Sequence, residues 1–412
     1  MKKILYIVFI GLSSLMFSQE NDLDKITSDL YLTGDWEGLI DLTKKINTDH
    51  FTTYETEYRL AVAYYSTGNY FDSAAQFEHI IAKYNIKNDL ILEYLYYSYL
   101  FSGRQQDALL VAKDLPFHLQ VKTDTKKYRF IDQITAEGGL KLSDSEDLGI
   151  NNLTYFNAGI GQQLGYKTLL KHAFTNISQD YIDFNYKQKE YYGSIRYQMG
   201  KGLTLIPSYH YVNTAEEELS YVPNSSFGKN KPMNSQETET SSTAHAEIKT
   251  NIFHLAVKKQ WNRFFISPNI IYITTNNNQT GNYNKMQYGL NTGLSLKPTH
   301  DKLWIGGGVD LIANDYDNNL IWNAKAYYGI GTKAYLYLRY LSANTSDFVL
   351  EDAMYYYNSV SVMKDNLSAT FGYRFSPKFL WYLNYQFENA KDIDHDLNFT
   401  YNTIITGLKI DL

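Results

Sequence analysis

Cysteine is absent from all 412 residues. That excludes a disulfide framework, thiol nucleophiles and the common cysteine-based structural zinc sites. Long apolar runs are missing as well. Beyond residue 17 every hydrophobic stretch is interrupted by Asn, Lys, Asp or Gly within about ten residues, short of the roughly 20 that a spanning helix needs. The mean hydropathy of -0.39 agrees. There is also no excess of positive charge: 38 Lys and Arg against 44 Asp and Glu leave a net charge of -6. A basic patch, and with it nucleic acid as a partner, is not expected. What the chain does hold is aromatic side chains, 39 Tyr and 21 Phe. Rich in tyrosine and without a spanning helix, the composition suits an outer-membrane β-barrel.

The first residues point to export. Met1-Lys2-Lys3 is a basic start, Ile4 to Phe17 is apolar apart from Gly11, Ser13 and Ser14, and Ser18 offers a small residue before Gln19. This order predicts a secretory signal peptide over 1–18, a retained anchor being the alternative. The expected location is the outer membrane, with the part that follows the signal peptide in the periplasm.

The character of the sequence changes near residue 120. Before it, Gly34 (Thr-Gly-Asp-Trp), Gly68 (Thr-Gly-Asn-Tyr) and Gly103 (Ser-Gly-Arg-Gln) recur at spacings of 68 − 34 = 34 and 103 − 68 = 35 residues. Apolar faces flank them: Leu60, Ala61, Tyr64 and Tyr65 before Gly68, then Ala74, Phe77, Ile80 and Ile81 after it. The period resembles tetratricopeptide repeats, with a first unit that departs from the pattern at Gly38 and Leu39. Residues 19–119 are therefore expected to be a helical-repeat domain whose last helix ends at Pro116, followed by a linker over 120–132.

From about residue 133 the period becomes two. In 379–388, Phe379, Trp381, Leu383, Tyr385 and Phe387 fall on one face, and Tyr382, Asn384, Gln386 and Glu388 on the other. Turn signals divide 133–412 into fourteen expected strands, from 133–143 to 396–411. Twelve or sixteen remain open, because 181–199 and 354–376 could each be split. Alternate connections are short, around Gly165, Gly200–Gly202, Trp261-Asn262, Pro298–His300, Gly331-Thr332 and Ser376–Lys378. Most of the others are longer and polar: 214–242, from Asn276 onward, 314–319, 342–352 and 391–396. Short turns alternating with long loops is the pattern that insertion imposes on a barrel. The expected fold class is thus a short helical-repeat domain followed by an antiparallel transmembrane barrel, a soluble β-sandwich being the alternative.

The layout of signal peptide, helices and barrel, with Tyr191-Tyr192-Gly193-Ser194, Gly202-Leu203-Thr204-Leu205, Tyr209-His210-Tyr211 and Phe371-Gly372-Tyr373, resembles the YaiO-type outer-membrane β-barrel family across nearly the whole chain. The family supplies no activity that can be carried onto particular residues. The layout is also similar to that of helical-repeat-plus-barrel exporters of bacterial polysaccharide.

On the faces assigned from periodicity, the lumen is expected to hold Asp183, Lys187, Arg196, His210, Glu247, Lys249, Asp310, Lys325, Arg339, Arg374, Glu388 and Lys409. Two readings follow: a lumen for a polar solute or polysaccharide, or a paired-charge network that braces a closed barrel. Ser208 and His210 with Asp310 could form a nucleophile set, yet such residues are common in any lumen, and no enzyme is expected. No His pair has zinc spacing, Glu216-Glu217-Glu218 reads as a solvated loop, and Gly159, Gly161 and Gly306–Gly308 lie within strand patterns rather than nucleotide loops. No cofactor or metal is expected. Trp36, Tyr64, Tyr65, Tyr70, Tyr96 and Tyr97 could line a groove for a periplasmic protein partner, although aromatics at helical spacing more often pack between helices. The expected function is a pore or export component with a partner-docking domain. The alternative is a closed barrel that anchors a scaffold.

Overall fold

The computed structural model describes residues 23–45, 53–122, 129–144, 150–181, 184–200, 202–218, 245–261, 263–297, 303–313, 318–392 and 395–412. The expected signal peptide and Asp183 lie outside the described residues.

The N-terminal part is a stack of helices: α1 (23–33), α2 (Trp36–Lys45), α3 (Tyr54–Ser66), α4 (Tyr70–Tyr84), α5 (Asp89–Phe101), α6 (Gln105–Asp114) and a short α7 (Phe117–Lys122). The 34-residue period is visible atom by atom. Gly34, Gly68 and Gly103 sit at the same point of three helix pairs with φ of 74°, 77° and 79°. Each follows a helix end, and the residue after it closes the same turn: Asp35 N donates to Leu30 O (2.9 Å), Asn69 N to Tyr64 O (2.8 Å) and Arg104 N to Tyr99 O (2.8 Å). This is the left-handed glycine stop that satisfies the last carbonyls of a helix. Side chains cap the starts of α3 and α5, where Thr53 accepts from Thr56 N and Asn88 from Ile91 N. The interior is apolar: Ala61, Phe77, Ile80 and Ile91 are fully buried between the pairs. Pro116 does not end the helical part. It opens α7, accepting from Leu119 N and Gln120 N, because proline is favourable at a helix start.

Fourteen strands follow and close on themselves. They are β1 (Ile131–Ser143), β2 (Ile150–Gly165), β3 (Thr168–Tyr181), β4 (Phe184–Gly200), β5 (Leu203–Glu218), β6 (His245–Trp261), β7 (Phe264–Asn277), β8 (Gly281–Lys297), β9 (Leu303–Ala313), β10 (Asn318–Ile330), β11 (Ala334–Leu350), β12 (Tyr355–Ser376), β13 (Phe379–Asp392) and β14 (Leu397–Asp411). Each pairs antiparallel with its neighbours in sequence, and β1 pairs with β14 from Gln133↔Asp411 to Ser143↔Tyr401, so no edge is left open. The expected count of fourteen holds, and the sandwich is excluded.

The barrel is inside out in polarity. On β6, Phe253, Leu255 and Val257 face outward and exposed, while His254 and Ala256 between them are buried. On β9, Ile305, Val309 and Leu311 point out and Asp310 points in. Period two delivers this, one row to each side of the wall. One end of the barrel carries the tight connections at 166–167, 331–333 and 377–378, together with the start of β1 and the end of β14. This turn end also meets the helical part: Gln198 Nε2 donates to Asp107 Oδ2 (3.4 Å), Gln260 Nε2 to Ser102 O (2.6 Å), and Lys113 lies 5.8 Å from the Tyr166 ring.

Two connections at the opposite, loop end differ from expectation. Strands β7 and β8 run on to leave only 278–280 between them. Residues 342–352, read as an outer loop, mostly continue β11. Pairing with β12 slips between Ser342 and Thr345 and again before Asp347, then resumes from Asp347↔Asn358 to Leu350↔Tyr355. At those slips the ribbon turns inward.

Candidate functional site

The in-turned β11–β12 hairpin is the central feature of the lumen. Its run Phe348-Val349-Leu350 is apolar, which explains why it leaves water. Phe348 and Leu350 pack against Ile312, Ile321 and Leu341 on the near wall. Val349, Ala353 and Tyr356 reach the far wall, against Val212, Ile252, Ile271 and Ile273 of β5 to β7. The hairpin therefore crosses the whole lumen.

Polar contacts fix it on every side. Gln287 acts as a short stretch of partner strand: its Nε2 donates to Val349 O (2.6 Å) and its Oε1 accepts from Val349 N (3.1 Å). Lys285 Nζ donates to Asp347 O (2.8 Å). Arg339 Nη1 donates to Glu351 Oε1 (3.0 Å), Arg196 Nη2 to Asp352 Oδ2 (3.1 Å), and Tyr192 hydroxyl to Asp352 O (3.1 Å). His210 is fully buried, with Nδ1 2.9 Å from Ala353 O and Nε2 3.2 Å from Glu190 Oε2. Both ring nitrogens face oxygen atoms, so the ring ties the tip to the wall. At the tip, Glu351, Asp352 and Ala353 all have φ between 56° and 66°. Three successive non-glycine residues in the left-handed region carry strain, and the surrounding contacts hold them there.

The tip divides the lumen. Towards the turn end lies a chamber of about 650 Å3, and towards the loop end one of about 500 Å3; Glu351 and Met354 of the tip line both, as do Glu137, Asn157, Tyr337 and Tyr382 of the wall, where the two chambers meet. The two differ in character. The turn-end chamber holds Lys171, Arg196, Lys258 and Lys325 beside Phe265 and Trp304. The loop-end chamber holds Glu137, Glu190, Glu216 and Glu388 among tyrosines, with Lys141 and Arg339. Glu388 accepts from Lys141 Nζ (3.0 Å) and Tyr357 hydroxyl (2.8 Å), and Lys141 lies 3.7 Å from the Tyr401 ring. Glu137 accepts from both Tyr155 and Tyr382.

The residues expected in the lumen divide accordingly. Arg196, His210, Asp310, Lys325, Arg339 and Glu388 lie in it, and the hairpin brings the first two and Arg339 together at its tip. Asp310 is 3.2 Å from Gln287 Nε2. Arg374 and Lys409 are at the turn-end rim, Arg374 donating to Pro377 O (2.8 Å) and Asp411 (3.1 Å), and Lys409 3.4 Å from Asp411. Glu247 and Lys249 are corrected: the inward row of β6 is Ile248, Thr250, Ile252 and His254, so both lie on the outer row, bonded to each other at 2.9 Å near the loop end. Lys187 is likewise on the outer row, since Gln188 and Glu190 line the loop-end chamber. Strands that overshoot the apolar belt carry charges on both faces, which the polarity rule misreads. Ser208, His210 and Asp310 form no nucleophile set. Residues two apart on a strand stand roughly 6–7 Å apart, and the Ser208 oxygen lies 3.3 Å from His254 Nδ1 instead.

Sequence reasoning missed Glu351 and Asp352, placed in a supposed outer loop, and Lys171 and Lys258, which period two alone would have turned inward. In the helical part, Tyr65, Tyr70, Tyr94 and Phe101 pack on one another with ring centroids 4.9 to 6.5 Å apart, and Tyr96 is buried. Among the described residues no group of acidic and histidine side chains is placed to hold a metal.

No family model and no curated protein matches the chain. Solved structures similar to it include the CymD monoaromatic hydrocarbon channel (10% identity, 68% of this chain and 88% of that one, TM-score 0.46). The P. putida toluene transporter TodX matches at 9% identity over 69% and 91% of the two chains (TM-score 0.45). The translocator domain of autotransporter NalP from Neisseria meningitidis matches at 11% identity over 72% and 94% (TM-score 0.38). These likenesses are distant, and the function proposed below rests on this chain's own lumen.

Proposed function

We propose that the chain is an outer-membrane conduit for a polar solute, closed at rest by the β11–β12 hairpin, with the helical part on the periplasmic side. The observation that carries this is the hairpin tip, which separates two polar chambers and is tied to the walls by side-chain contacts. The inside-out polarity supports the membrane setting: an exposed apolar belt of this extent needs lipid. The end carrying the tight turns and both barrel termini supports the placing of the helices. Their three units, stopped by the same glycine turn, are read as tetratricopeptide-like, in keeping with the resemblance to YaiO-type chains, and as a site for a periplasmic protein. No catalytic role is proposed.

Conductance in planar bilayers tests the reading. The mature chain should be closed or flicker, and a variant with residues 346–359 replaced by Asn-Gly should conduct steadily, at least tenfold more on average. Silence in both would sink the conduit. A second reading would then stand, favoured by the apolar contacts that the tip makes with both walls: a permanently filled barrel serving as an anchor for the helical part.

A further inference from the structure

We infer that the turn-end chamber is a binding site for an anionic sugar, one carrying a carboxylate or a phosphate. The inference deepens the conduit reading and rests on it for its physiological meaning, but not for its chemistry.

The charges in this chamber do not cancel. Its carboxylates are engaged: Glu137 by the hydroxyls of Tyr155 and Tyr382, Glu351 by Arg339, and Asp352 by Arg196. Three ammonium groups, Lys171 of β3, Lys258 of β6 and Lys325 of β10, line the same space from different parts of the wall. Among the described residues none of the three has a carboxylate within ion-pairing distance. All three are partly buried, and cations held in such a space without an ion-pair partner favour an anion from outside. The chamber volume of about 650 Å3 lies within the range of small-molecule sites.

A flat apolar surface accompanies the cations. Phe265 and Trp304 stack in parallel, centroids 6.0 Å apart and planes 2° apart, and Lys258 Nζ lies 4.2 Å from the Phe265 centroid. Gly293, on the strand between them, makes room: a Cβ there would come within 2.4 Å of Phe265 and 2.5 Å of Trp304. Aromatic rings beside cations in one chamber suit a ligand with an apolar ring face and a charged edge. The amides of Asn157 and Asn291 line the same chamber for hydroxyl groups. The loop-end chamber, rich in glutamate, would repel such a ligand, so its residence is confined to the turn end.

Calorimetric titration of the refolded, detergent-solubilised full chain tests the site, with glucuronate, glucose 6-phosphate and glucose as probes. At least one anionic probe should bind, glucose at least tenfold more weakly. K171Q, K258Q and K325Q should each weaken the anion at least tenfold, with barrel folding checked by gel mobility without heating. Rising chloride should weaken binding to the unaltered chain, a readout that needs no variant. Equal affinity for glucose, insensitivity to all three substitutions, or indifference to chloride would overturn the inference. Binding with a silent barrel would remove the conduit and leave the site, whereas conductance without anion binding would do the reverse.

Discussion

Arg104 shows how much rests on single side chains. Its Nε donates to Asp107 (2.7 Å), an Nη to Glu78 (3.1 Å), and its guanidinium lies 4.3 Å from the Tyr99 centroid, with only 5% of the side chain exposed. Replacement by Ala leaves a buried carboxylate unpaired and should cost the helical part about 3–5 kcal/mol, read from urea melts at 222 nm. Lys83 offers a pH test. The hydrogen bond that its Nζ donates to Glu57 Oε1 (2.7 Å) holds its ammonium above the ordinary lysine range. A raised pKa adds stability that is complete below the unfolded lysine value of about 10.4 and is lost as pH climbs through the folded one. E57Q should therefore flatten the alkaline part of the stability profile relative to the unaltered chain. G293V, which forces Phe265 and Trp304 apart, should cost roughly 1–3 kcal/mol and shift the tryptophan emission.

At the scale of elements the hairpin is the part to probe. E351Q removes the charge partner of buried Arg339 and should raise both the open fraction in bilayers and the rate of proteolytic cutting near 351–354, by about tenfold each. The sequence made the elements around it legible for a physical reason. Alternation such as Phe379 to Glu388 is imposed by two unlike environments on the two sides of a strand, and the three glycine stops are imposed by backbone geometry. The hairpin escaped because Asn344, Ser346, Asp347, Glu351 and Asp352 carry the polarity of a loop, while their neighbours Phe348 to Leu350 are too few to advertise a buried strand. Its partners are distant in sequence, and no local pattern encodes them. Glu247 and Lys249 were misplaced for the opposite reason: beyond the lipid belt the outer face is wet too, so charge ceases to mark the inside.

For the molecule as a whole, the closed ladder and the helical stack are joined mainly by rim contacts such as Gln260 to Ser102 and Gln198 to Asp107. Two transitions are expected in denaturant, helices first and barrel later, and Q260A should bring the first forward without moving the second. Fusion of the two into one transition would show tighter coupling than these bonds provide.

The reach of the hairpin also dictates an order of assembly. Its tip rests on β5 to β7, on the side of the ring opposite its own strands, so those contacts do not exist in an open sheet however well its neighbours are paired. They come into being only as the sheet curls round to bring the opposite wall within reach. Seating of the tip on that wall is expected late in biogenesis, once curling brings the two sides together, and a chain stalled before then would display a ribbon held only by its near-wall contacts with Ile312, Ile321 and Leu341.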